Sequence, residues 1–73
     1  MMSQFYISDD NENDVRRCNE SRDDQVVITI TGLTIDGHIK AFTGIVQSVE
    51  HDEVRDQGKR WRVTLHDSNL ATR

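Results

Sequence analysis

Residues 25–42 read QVVITITGLTIDGHIKAF. Val, Ile and Thr dominate the stretch, proline is absent, and apolar side chains recur at alternate positions, which is the period of a strand with one buried face. Val26, Ile28 and Ile30 share one face; Val27, Thr29 and Thr31 share the other. Gly32 interrupts the alternation, as glycine does at a bulge or a sharp bend. Asp36-Gly37 then separates two apolar alternations. A two-residue Asp-Gly loop predicts a type I′ hairpin, because both loop positions need φ > 0. Such a turn pairs Ile35 with His38 and Leu33 with Lys40, and sends the chain back along a strand over residues 38–42.

Beyond this hairpin, Thr43-Gly44 predicts a second bend and residues 45–51 a further strand. Residues 53–57 form a polar loop, and Gly58 opens a last strand over residues 59–66. Placing Val49 opposite Trp61 sets Ile45 against Leu65 and Gln47 against Val63 on a dry face. The wet face then carries Glu50 opposite Arg60 and Ser48 opposite Arg62, in keeping with cross-strand pairing rules. Gln47 is the misfit on the dry face and Val46 on the wet one. The expected fold is all-β: a strongly bent antiparallel meander of about four strands, an open barrel or curled sheet, spanning residues 25–67. Its expected core is Val26, Ile28, Ile30, Ile39, Ala41, Ile45, Val49, Trp61, Val63 and Leu65.

The N-terminal part reads differently. Residues 1–25 hold seven acids and three bases, whereas residues 26–73 hold six of each, so the net charge of −4 belongs to the N-terminal segment. From Ser8 to Asp24, Val15 and Cys18 are the apolar interruptions in a run of Asp, Asn, Glu, Arg and Ser. That composition buries too little surface to offset ordering entropy, and residues 1–24 are expected to be a flexible acidic tail. Within it Phe5-Tyr6-Ile7 is an apolar, β-favouring triplet with two readings: part of a disordered start, or a short strand docking on this domain or on a neighbouring copy. Residues 68–73 are expected to be a flexible C-terminus.

Cysteine usage and length set further bounds. With 73 residues and one cysteine, the chain has a thin core and no internal disulfide to reinforce it. A lone thiol suits a reducing compartment. Neither a signal-peptide pattern nor an apolar run near the roughly 20 residues a bilayer span needs occurs, so a cytoplasmic protein with no membrane association is expected.

Reactive chemistry is poorly supported. Cys18 sits among acids, which disfavour the thiolate. His51 and His66 fall on the order of 20 Å apart at about 3.3 Å per strand residue, and His38 adjoins the turn, so no metal-ligand spacing arises. Glu50-His51-Asp52-Glu53 lacks the calcium-loop pattern. Neither an enzyme nor a bound metal or cofactor is expected. Lys59-Arg60-Trp61-Arg62 alternates bases around an aromatic ring, as nucleic-acid surfaces do. On a strand, though, Trp61 points away from Arg60 and Arg62, which fits a core ring under a polar outer face.

The leading expectation is therefore a non-enzymatic interaction module. It binds a protein partner, or its own copy as a homodimer, through a sheet edge and an apolar patch of Leu33, Ile35 and Phe42, with Phe5, Tyr6 and Ile7 as an added strand. The alternative is a small nucleic-acid-binding barrel using Lys40, Lys59, Arg60 and Arg62. One prediction concerns the turn itself: Gly37→Val lowers the denaturant midpoint, because valine tolerates φ > 0 poorly. An unchanged midpoint would show the turn misread.

Overall fold

The computed structural model describes residues 2–54 and 58–67. Their order is β1 (Met2–Ser8), α1 (Glu12–Asp24), β2 (Ile28–Leu33), β3 (Ile39–Val54) and β4 (Gly58–Asp67). The four strands form a closed antiparallel ring in the order β1-β2-β3-β4, with β4 returning to β1. The antiparallel bent-strand fold read from the sequence is present, but built from different strands. The strands expected over 38–42 and 45–51 are one continuous β3. Gly44 marks the corner where β3 leaves β2 for β4, since it pairs with Ile28 on one side and Asp67 on the other. A Cβ at Gly44 would collide with the backbone carbonyl of His66, so the close crossing requires glycine.

The flexible tail expected over residues 1–24 is corrected by a strand and a helix. β1 lies along β4 in a register from Met2↔His66 to Ser8↔Arg60. Phe5-Tyr6-Ile7 thus docks on its own domain. The helix carries acids in its first turn (Glu12, Asp14) and Arg22 in its last, both favourable to the helix dipole. Its buried stripe is narrow: Val15, Cys18 and Ser21, at helical spacing, face the barrel. With so few apolar residues the helix is held by tertiary packing rather than by its own pattern. It ends at Gln25 in the left-handed region (φ 55°), and Val26 N–H returns to the Ser21 carbonyl at 3.2 Å. The expected C-terminal tail and residues 55–57 of the polar loop lie outside the described residues.

The turn has three residues rather than two. Gly37 N–H donates to the Thr34 carbonyl at 3.0 Å and Thr34 N–H to the His38 carbonyl at 2.7 Å. Gly37 takes φ 90° while Asp36 stays at negative φ, the arrangement of a turn followed by a glycine bulge. Leu33 therefore pairs with Ile39, one position away from the expected register. A one-residue slip exchanges the faces of a strand. Phe42 turns inward, 8% exposed, whereas Ile39 turns outward at 71%.

The core accordingly comprises Phe5, Ile7, Cys18, Ile30, Phe42, Val46, Val63 and Leu65, with Val15, Ile28, Val49 and Trp61 packed against it. Of the expected core, Val26, Ile39 and Ala41 are exposed and Ile45 is half-buried. The Phe5 ring stacks on Phe42 with centroids 4.4 Å apart and planes within 11°. It also covers Gly32 so closely that a Cβ there would enter the ring.

The misfit pair Gln47 and Val46 resolves through a bulge. Val46 pairs with Leu65 and Ser48 with Thr64, so Gln47 is skipped and turns to solvent while Val46 and Val49 both reach the dry side. The register around it moves too: Val49 faces Val63, Glu50 faces Arg62 and Asp52 faces Arg60. Beside the bulge, buried Ser21 Oγ accepts from Val46 N–H at 3.1 Å and donates to the Val26 carbonyl at 2.6 Å. One hydroxyl thus satisfies the Val26 carbonyl in the α1–β2 connection and a β3 amide, and fixes α1 to β3.

Two predictions follow from these contacts. Ser21→Ala leaves a buried N–H without a partner and is expected to cost about 1–3 kcal/mol, read as a lower urea midpoint with unchanged slope. Gly44→Ala is expected to cost at least about as much, because backbone rather than a movable side chain occupies the space. A melt of either variant that superimposes on the parent would contradict the packing described.

Candidate interaction surface

The ring is weakest between β1 and β2. Among the described residues these strands meet at one pair, Tyr6 with Leu33, whereas β1 and β4 pair over the whole of β1. Beyond Tyr6 the two strands diverge, and a groove of about 390 Å³ opens between them. Tyr6, Ile7 and Ser8 form one wall, Thr31, Gly32 and Leu33 the other, and Ile39, Lys59 and Arg60 reach its rim. The hairpin beside it carries the most exposed of the large apolar side chains among the described residues, Ile39 and Ile35, the latter 68% exposed.

This arrangement divides the residues singled out from sequence. Leu33, Ile35 and Tyr6 lie on or beside the groove. Phe42 and Phe5 do not offer a surface: they fill the core, because the three-residue turn rotates Phe42 inward and β1 brings Phe5 over it, while Ile7 is a core residue, 3% exposed, that backs the groove wall. Ile39, Ser8, Asn11 and Thr31 were missed as groove residues. The three-residue alternative at Asp36-Gly37 would have put Ile39 outside; no sequence signal marked the others.

The basic residues are engaged locally. Arg62 Nη2 donates to Glu50 Oε1 at 3.1 Å, and that hydrogen bond raises the guanidinium pKa above its ordinary value. Arg60 Nε lies 3.8 Å from Asp52 Oδ2, and its guanidinium sits 3.7 Å from the Tyr6 ring centroid. Lys40 Nζ stands 5.9 Å from the Phe42 ring centroid, and Lys59 pairs in register with Glu53. Cross-strand carboxylates thus interleave with the basic stripe.

The histidines also sit apart. His51 Nε2 lies 3.2 Å from Asp9 Oδ1, which accepts from Trp61 Nε1 at 3.1 Å as well, tying the β1–α1 turn to the last hairpin. His38 Nδ1 is 3.5 Å from Asp36, and His66 lies on β4 opposite Met2 and Ile45. Among the described residues no group of three or more His, Cys, Asp or Glu is placed to hold a metal ion, and no helix is long and apolar enough to cross a membrane. Cys18 is fully buried; burial, then the nearby Asp14 carboxylate, push its thiol up to about 12, with Arg17 opposing.

Comparison with protein families, with curated proteins and with solved structures finds no match to this chain.

The buried thiol gives a measurable consequence. A group whose folded pKa lies above its unfolded value contributes stability below the unfolded pKa and loses it as pH rises. Between the ordinary value of 9.0 and about 12 the unfolded chain releases the Cys18 proton first, so stability falls across that window. Cys18→Ala removes this component, and urea midpoints between pH 8 and 10.5 are expected to decline less steeply in the variant. Equal declines would show a solvated thiol.

Proposed function

We propose that the protein is a non-enzymatic interaction module whose docking face is the β1–β2 groove and the adjoining hairpin tip. The observation that supports this reading most is the position of Ile39. A large aliphatic residue, 71% exposed, stands next to a groove between two strands that share one residue pair. Exposed apolar side chains beside an open strand edge cost solubility and invite pairing, and they suit a surface that is covered in use. Leu33 and Ile35 extend the patch, and Lys59 and Arg60 give it a polar rim, the usual anatomy of a protein-binding surface.

The nucleic-acid reading has less support. Its arginines face Glu50 and Asp52, and phosphate would have to displace those carboxylates. The need for a partner to complete a thin core is also weaker than the strand pattern suggested, since β1 and α1 supply Phe5, Ile7, Val15 and Cys18 from the chain itself. Self-association through the hairpin patch remains part of the proposal.

Two measurements test it together. Sedimentation equilibrium of the parent is expected to show a mass rising above the monomer with concentration, and Ile35→Ser/Ile39→Ser is expected to stay monomeric. Selection from a random peptide library on the immobilised chain is expected to yield binders that the double variant does not retain. A parent monomeric at all concentrations, with an empty selection, would overturn the reading.

A further inference from the structure

Hydrogen-bond parity along β2 shows what the groove offers. Thr34 N–H bonds the His38 carbonyl, so the even-numbered residues of β2 exchange bonds with β3. The odd-numbered residues point their backbone groups to the other edge. Two of them are engaged there: the Thr29 carbonyl accepts from Arg17 Nη2 at 2.9 Å, and Leu33 pairs with Tyr6. Between them Thr31 directs its N–H and C=O into the groove, beyond the point where β1 stops pairing. By antiparallel register Ser8 would be its partner, but the Ser8 carbonyl accepts from Asn11 N–H at 3.0 Å in the turn that starts the helix. The β1–α1 turn draws the Ser8 carbonyl toward Asn11, and among the described residues the pairing of β1 with β2 does not continue to Thr31, which leaves a short edge of β2 open.

The charged side chains that line this groove among the described residues are basic. Among the described residues that line the groove, Lys59 and Arg60 carry charge and none is a carboxylate, in a chain with 13 acids against 9 bases; Asp52 reaches Arg60 from β3, 3.8 Å from its Nε. Leu33 and Ile39 supply apolar contact at one end.

We propose that the groove takes an extended, acid-bearing peptide segment of a partner protein, which adds as a strand on the β2 edge at Thr31 and sets a carboxylate against Lys59. This rests on the interaction-module reading and names its ligand. Strand addition supplies main-chain hydrogen bonds, and side chains at alternate positions select the sequence. Backbone groups spaced at strand period match a peptide rather than a phosphate chain. The edge is short, so the main-chain bonds are few and the charges decide which peptide binds.

The experiment is an amide-resolved NMR titration of the full chain with three probes: a heptapeptide alternating glutamate and valine, its lysine–valine counterpart, and octathymidylate. The glutamate peptide is expected to shift the Thr31, Leu33 and Ser8 amides saturably and to slow Thr31 amide exchange at least about tenfold, which corresponds to about 1.4 kcal/mol. Lys59→Glu is expected to weaken binding by at least about the same factor, and the other probes to leave those amides unmoved. Thr31→Pro removes the donated N–H at an edge where proline is tolerated and is expected to abolish binding; if that variant does not fold, Lys59→Glu carries the test. Absence of seam shifts with the glutamate peptide, equal binding of the lysine peptide, or preferential occupation by octathymidylate each overturns the proposal. Library binders that map to Ile35 and Ile39 while the Thr31 amide stays unprotected would leave the module standing and remove strand addition.

Discussion

The stack of Phe5 on Phe42 over Gly32 is the contact on which the other features depend. It joins β1 to the β2–β3 hairpin, which is remote from it in sequence: β1 brings one ring, β3 the other, and β2 contributes the missing side chain that lets them meet. Stacked aromatics of this kind contribute about 0.5–1.5 kcal/mol beyond the area they bury. More important is what they fix. With Phe42 inward, the alternation of β3 is set, Ile39 is forced outward, and the N-terminal strand becomes the lid of the core.

Closure and opening are thus linked. Phe5 draws β1 over the barrel, while the turn after Ser8 pulls the same strand into the helix and away from β2. The seam is the compromise between these demands: one pair at Tyr6–Leu33, then divergence. The helix is anchored at its other end by the Ser21 hydroxyl, which bridges the Val26 carbonyl and the Val46 N–H at the β3 bulge. The open edge at Thr31 therefore belongs to the fold's connectivity, and the groove lies between two firmly attached elements.

The sequence made the strands legible and left their faces ambiguous. Val63 and Leu65 read correctly as core, and so did Ile30, because their alternation is clean. Ile39 and Phe42 were exchanged because Asp36-Gly37 supports both a two-residue and a three-residue loop, and the choice turns on whether Asp36 takes positive φ. Gln47 announced its own bulge as a polar residue in an apolar column. The helix was hidden for a different reason: its buried face is Val15, Cys18 and a serine, too little apolar content for periodicity to register. The groove was half legible. Leu33 and Ile35 were visible as surplus apolar residues, Tyr6 as part of an apolar triplet, and Lys59 and Arg60 as part of a basic stripe. Their convergence depends on β1 lying between β4 and β2, which no local pattern encodes.

The central claim is that the N-terminal strand closes the core of its own chain through this aromatic contact. A double-mutant cycle between Phe5→Leu and Phe42→Leu, read by urea unfolding, tests it most directly. The account predicts that the two losses are coupled, with an interaction energy of about 0.5–1.5 kcal/mol. Additive losses, or a Phe5→Leu variant as stable as the parent, would contradict it.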